Sequence, residues 1–126
     1  MNEIRIGTKD EQTAFRPGEL IEGAIGWNLP EELRAIEVRL GWQTRGKGTE
    51  DAETVNEIKF DDPPAQGARP FQFVAPDQPY SFSGKLISVI WFLEVRVRPK
   101  GATARKDIII APTRQEVILG APAPSE

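Results

Sequence analysis

Between Leu86 and Arg98 the chain alternates with a period of two, and no other feature constrains the fold as strongly. Ile87, Val89, Trp91, Leu93, Val95 and Val97 fall on one face; Leu86, Ser88, Ile90, Phe92, Glu94, Arg96 and Arg98 fall on the other. Successive side chains of an extended backbone point to opposite sides, so the segment is predicted to be a strand with one wholly apolar face. Its second face is apolar in the first half and charged in the second. This pattern is expected of a central strand covered near its start and open near its end.

The same period recurs twice. Ile36, Val38, Leu40 and Trp42 alternate with Glu37, Arg39, Gly41 and Gln43, and Ile21, Gly23, Ile25, Trp27 and Leu29 alternate with Glu22, Ala24, Gly26 and Asn28. Gly23 and Gly26 are expected to mark a bulge or close packing. Around these segments, Asn2 to Ile6 reads as an edge strand, and Ile58 and Phe60 as the inward residues of a hairpin strand after the polar loop Arg45 to Asp51. Phe71 and Phe73 mark a short strand beyond the Asp61 to Gly67 breaker, and Pro76 to Gly84 reads as a loop. Arg105 to Ile110 is the last core strand. No segment sustains helical spacing, and 11 Gly with 11 Pro supply many turns. The predicted fold is therefore all-β: an antiparallel two-sheet immunoglobulin-like sandwich of about seven to nine strands. With 126 residues the chain fits one domain, placed at residues 1–110. A tail over 111–126 contains Val117-Ile118-Leu119, read as either an extra edge strand or part of a disordered end. Met1 and the polar ending are those expected of a complete chain.

Composition closes several functions. There is no Cys and no His, which removes disulfides, thiolate chemistry, the commonest metal ligand and the usual base near neutral pH. A net charge of −3 gives no electrostatic footprint for nucleic acid. The N-terminus lacks an apolar leader, and no apolar run is long enough to span a bilayer. The expectation is a cytoplasmic, non-enzymatic protein with no catalytic residue, no cofactor and no metal.

Two short motifs precede alternating strands. Phe15-Arg16-Pro17-Gly18-Glu19-Leu20-Ile21-Glu22-Gly23 holds a Pro-Gly turn in which Pro17 presets φ and Gly18 can adopt a positive φ. Pro79-Tyr80-Ser81-Phe82-Ser83-Gly84 leads into the long strand, whose register must not slip, because a one-residue shift would turn every core side chain outward. In order and separation the pair resembles the arrestin-like β-sandwich, as found in arrestin N-terminal domains and the bacterial sporulation-control family. The resemblance rests on Phe15, Pro17, Gly18, Glu19 and Gly23 and on Pro79, Ser81, Phe82 and Gly84, and covers roughly residues 2–110 as one arrestin half. It implies an adaptor or scaffold that binds a protein or peptide partner. With no second half, it does not imply interdomain switching.

Candidate sites follow from what the strands leave outside. Leu86, Ile90, Phe92, Arg96 and Arg98 are the candidate partner-binding residues, with an open sheet edge as the other route and self-association through such an edge as a further expectation. Glu37, Arg39, Glu94, Arg96 and Arg98 lie on outward faces, where cross-strand charge pairing is the plainer role, for the two arginines as well. Arg45 and Lys47 offer two cations to an anion, although no Walker pattern surrounds them and a soluble hairpin tip is the plainer reading. Glu50, Asp51, Glu53, Asp61 and Asp62 bracket one strand without the ligand spacing of a calcium loop. Ser81 and Ser83, with no histidine to activate them, are read as turn residues. Trp27, Trp42 and Trp91 are placed in the core; an exposed one would suit a carbohydrate module. A hydrolase using Asp61 and Asp62 is the remaining alternative.

Overall fold

The computed structural model describes residues 3–30, 33–46, 51–79, 81–83, 87–98, 101, 103–115 and 117–118. Their strands are β1 (Glu3–Thr8), β2 (Ala14–Phe15), β3 (Leu20–Asn28), β4 (Ala35–Gly46), β5 (Ala52–Asp61), β6 (Gln66–Val74), β7 (Phe82–Ser83), β8 (Ile87–Arg98), β9 (Thr103–Ile110) and β10 (Val117–Ile118). Seven of these are six residues or longer and three are two-residue bridges. The only helical turn among the described residues is a 3₁₀ turn at Lys9–Glu11.

β1-β3-β6 make one antiparallel sheet. The other runs β10-β7-β8-β4-β5, with β9 also paired to β8 and β2 to β9. Its long pairings are antiparallel, whereas the β2–β9 and β10–β7 bridges are parallel. β8 is central: β4 lies along one side, and β7 and β9 share the other.

The apolar faces meet between the sheets, as strict alternation requires. Ile21, Ile25, Trp27, Phe71 and Phe73 from the smaller sheet pack against Ile36, Val38, Leu40, Trp91, Leu93, Val95 and Val97 from the larger. Trp91, Leu93 and Val97 have no exposed surface at all. The indole N–H groups of Trp27 and Trp91 donate to the carbonyls of Pro64 and Pro79 at 2.8 and 2.7 Å, so both rings are buried without an unpaired donor. Trp42 departs from the expectation: it is half-buried at the margin of the core, because β5 is an edge strand and covers it incompletely.

Two local readings change, and one is resolved. β6 is a nine-residue strand rather than a short one, and it contains Pro70. As an edge strand paired, among the described residues, only to β3, it tolerates a missing N–H. Of the two readings of Gly23 the structure takes close packing: β3 pairs without a register break, and a Cβ at Gly23 would lie 2.5 Å from Cζ of Phe71 and against the Gly7 carbonyl. The bulge lies instead in β5, where pairing steps from Leu40–Asn56 to Gly41–Thr54 and leaves Val55 extra. Ser81, read as a turn residue, is 1% exposed and ties β9 in place. Its N–H donates to the Ile110 carbonyl at 2.8 Å, and its Oγ accepts from the Ile110 N–H at 3.1 Å.

Candidate functional site

Register places the outward residues of four strands in rows. One row is Lys59 (β5), Glu37 (β4), Arg96 (β8) and Thr103 (β9); the next is Glu57, Arg39, Glu94 and Arg105. Charge therefore alternates across the sheet, and the side chains use it internally. Glu37 accepts from Arg98 Nε and Arg39 Nη2, each at 2.5 Å, and Arg39 Nε donates to Glu57 at 2.9 Å. Arg96 lies 3.5 Å from Glu94. Glu37 faces outward in register, yet it is 5% exposed because the two guanidinium groups cover it. The Arg98 hydrogen bond, reinforced by Arg39, holds its carboxyl below the usual carboxylate range even though burial opposes this.

Phe92 is also covered. Its ring lies over Gly41, where a Cβ would sit 2.8 Å from Cζ, and the Arg105 guanidinium caps it 4.3 Å from the ring centroid. Arg105 is fixed in turn by Asp107 at 2.8 Å and Gln43 at 2.6 Å. Of the residues assigned to a partner, then, Phe92 is buried, Arg98 neutralises Glu37, Arg96 faces Glu94, and Ile90 is half-buried. Leu86 lies outside the described residues, as do Lys47, Glu50 and Gly84. Arg45 is exposed at the end of β4.

The motif residues build structure. Phe15 is 1% exposed, and Gly18 takes φ 82° while its N–H donates to the Ala75 carbonyl at 2.7 Å. Pro17 precedes it in the turn, and Glu19 accepts from Gln12 Nε2 at 2.7 Å and pairs with Arg114, whose hydrogen bond lowers its pKa. Pro79 and Ser81 anchor Trp91 and Ile110, and Phe82 lies in β7. The acidic set is split: Asp51 and Asp61 stand at opposite ends of β5, and among the described residues no three acidic groups gather as a metal site would need. Asp61 lies 3.6 Å from Lys59.

The sequence reading missed the edge of the larger sheet at β5. Among the described residues this ten-residue strand pairs only with β4 and contains no proline. Beside it, where β5 meets the smaller sheet, is a cleft of about 820 Å³ bordered by Ile58, Phe60, Gly23, Phe71, Lys9 and Glu22. Ile58 and Phe60 are half-buried on its wall. The sequence signal was the alternation of Ile58 and Phe60 with Glu57, Lys59 and Asp61; their place at an edge follows from the sheet order.

Neither a family model nor a curated protein matches the chain. Among solved structures it is similar to Spo0M, a sporulation control protein from Bacillus subtilis, at 18% identity and a TM-score of 0.57. The fold is arrestin-like. The match covers 87% of this chain and 48% of that one, so the chain spans about half of the Spo0M structure. Within this arrestin-like sandwich, the two motifs occupy the turn before β3 and the segment before β8. No helix among the described residues is long and apolar enough to cross a membrane.

Proposed function

We propose that the chain is a non-enzymatic protein-interaction module, an adaptor or scaffold, that takes an extended segment of a partner along the outer edge of β5. The carrying observation is the β5 edge, unpaired among the described residues, beside the apolar cleft of Ile58, Phe60 and Phe71. An unpaired edge presents a row of backbone donors and acceptors, and an added strand gains main-chain hydrogen bonds while side-chain pockets select among sequences. The outward sheet face is less suited to this role, because its charges already neutralise one another and a partner would have to break those pairs. The likeness to a sporulation control protein supports a controlling role of the kind a binding module fills.

A photo-crosslinking amino acid placed at Val55, which is 42% exposed on the edge strand, tests this against the same probe at Arg98 on the sheet face. Irradiation in cells of the source organism followed by mass spectrometry is expected to give adducts with another protein from position 55. Adducts from position 98 alone would move the site to the sheet face, and none from either position would remove the binding role.

A further inference from the structure

Resting on that reading of the edge, we propose that its resting occupant is a second copy of this chain, paired β5 to β5 in antiparallel register about Ile58. The backbone fixes which groups are free. The Asp62 N–H donates to the Arg34 carbonyl at 2.9 Å, and this pair continues the Ala35–Asp61 register. Hydrogen-bonded and non-hydrogen-bonded pairs alternate in an antiparallel ladder, so Phe60, Ile58 and Asn56 point their backbone groups at β4. Asp61, Lys59 and Glu57 point theirs outward, and the Glu57 N–H donates to the Asn56 side-chain oxygen at 2.8 Å, a local bond that an added strand would displace.

A symmetric partner must therefore bond through these three residues, and only a few registers allow it. Centring on Glu57 sets Glu57 against its own copy; centring on Lys59 sets lysine against lysine and Glu57 against Asp61. Centring on Phe60 shortens the ladder to the last residues of the strand. Centring on Ile58 pairs Glu57 with Lys59 of the second copy and Lys59 with Glu57, both as hydrogen-bonded pairs. On the inner face, Ile58 meets Ile58 at the close spacing of a non-hydrogen-bonded pair, and Phe60 meets Asn56. The Val55 bulge ends the regular segment, so the ladder stops where the charge match stops. Glu57 also accepts from Arg39, and Lys59 faces Asp61, but each carboxylate oxygen has room for a further donor. Two copies of Ile58 would then lie at the mouth of the cleft and cover its apolar wall.

A strand-to-strand contact of this length is small, so sedimentation velocity over roughly 1 µM to 1 mM is the suitable range. The full chain is expected to show a dimer fraction that rises with concentration. Lys59→Glu, which makes both cross-copy pairs repulsive, is expected to weaken association roughly tenfold, and the double exchange Glu57→Lys/Lys59→Glu to restore it. Lys59→Pro removes an outward N–H while leaving the ladder to β4 intact, and is expected to abolish the dimer. Thermal melts of each variant by circular dichroism verify folding. A monomer throughout the range, or association unchanged by Lys59→Glu and Lys59→Pro, overturns the proposal. If the chain is monomeric while the Val55 probe still captures another protein, self-pairing fails and the edge reading stands. If neither is seen, both fall.

Discussion

At the residue scale, two side-chain environments decide more than their residue types suggest. Gly23 lies where the Phe71 ring and the Gly7 carbonyl leave no room for a Cβ. Gly23→Ala is therefore expected to cost about 1–3 kcal/mol, read as a lowered urea midpoint. Glu37, covered by Arg39 and Arg98, has a folded-state pKa below its unfolded value. Such a group contributes stability that is fully present above the unfolded pKa of about 4.3 and is lost as pH falls through the folded value. Stability should accordingly fall as pH drops below about 5, and Glu37→Gln should flatten part of that slope while costing about 1–3 kcal/mol at pH 7. Urea unfolding across this acid range and at pH 7 checks both. The outward position of Glu37 was legible from alternation. Its burial was not, because Arg98 is brought to it only by the β4–β8 register.

At the element scale, strands with a sustained period were readable. β3, β4 and β8 each bury one face completely enough that alternation alone marks it, whereas β7 holds two residues and carries no period. β6 begins at Gln66, earlier than the short strand expected around Phe71 and Phe73, because an edge strand tolerates Pro70 within it. Ser81 joins two elements, and Ser81→Ala leaves the buried Ile110 N–H without its side-chain acceptor. A loss of about 1–3 kcal/mol in chemical denaturation is expected. β5 gives a backbone prediction. In dilute protein the amides of Lys59 and Asp61 should exchange with solvent much faster than those of Ile58 and Phe60, as read by NMR hydrogen exchange. Equal protection along the strand would contradict the alternation.

At the scale of the whole molecule, the sandwich joins strands that are distant in the chain: β8 pairs with β4, and β3 with β6. Loop-closure entropy must be overcome before such contacts form, so refolding followed by tryptophan emission in stopped flow should take milliseconds to seconds. The emission itself should be that of shielded indoles, since Trp27 and Trp91 are 3% and 0% exposed. That burial also leaves no flat indole for a sugar at those two positions. Among the described residues the larger sheet is left with a polar, self-neutralised face and a long unpaired edge at β5, where an added strand would break no ladder hydrogen bond.

The sequence by itself determined the β class, the inward faces of β3, β4 and β8, and the Pro17-Gly18 turn before β3, because a period of two under burial admits only one assignment of faces. It also carried the arrestin-like resemblance, since a Pro-Gly turn and a Pro-x-Ser-Phe segment are local features. Only the tertiary structure decided that β5 is an edge, that Phe92 lies beneath Arg105, and that Glu37 is enclosed by two arginines. Alternation fixes which side a residue faces; sheet order fixes what stands beside it, and neighbours across strands come from parts of the chain that no local pattern connects.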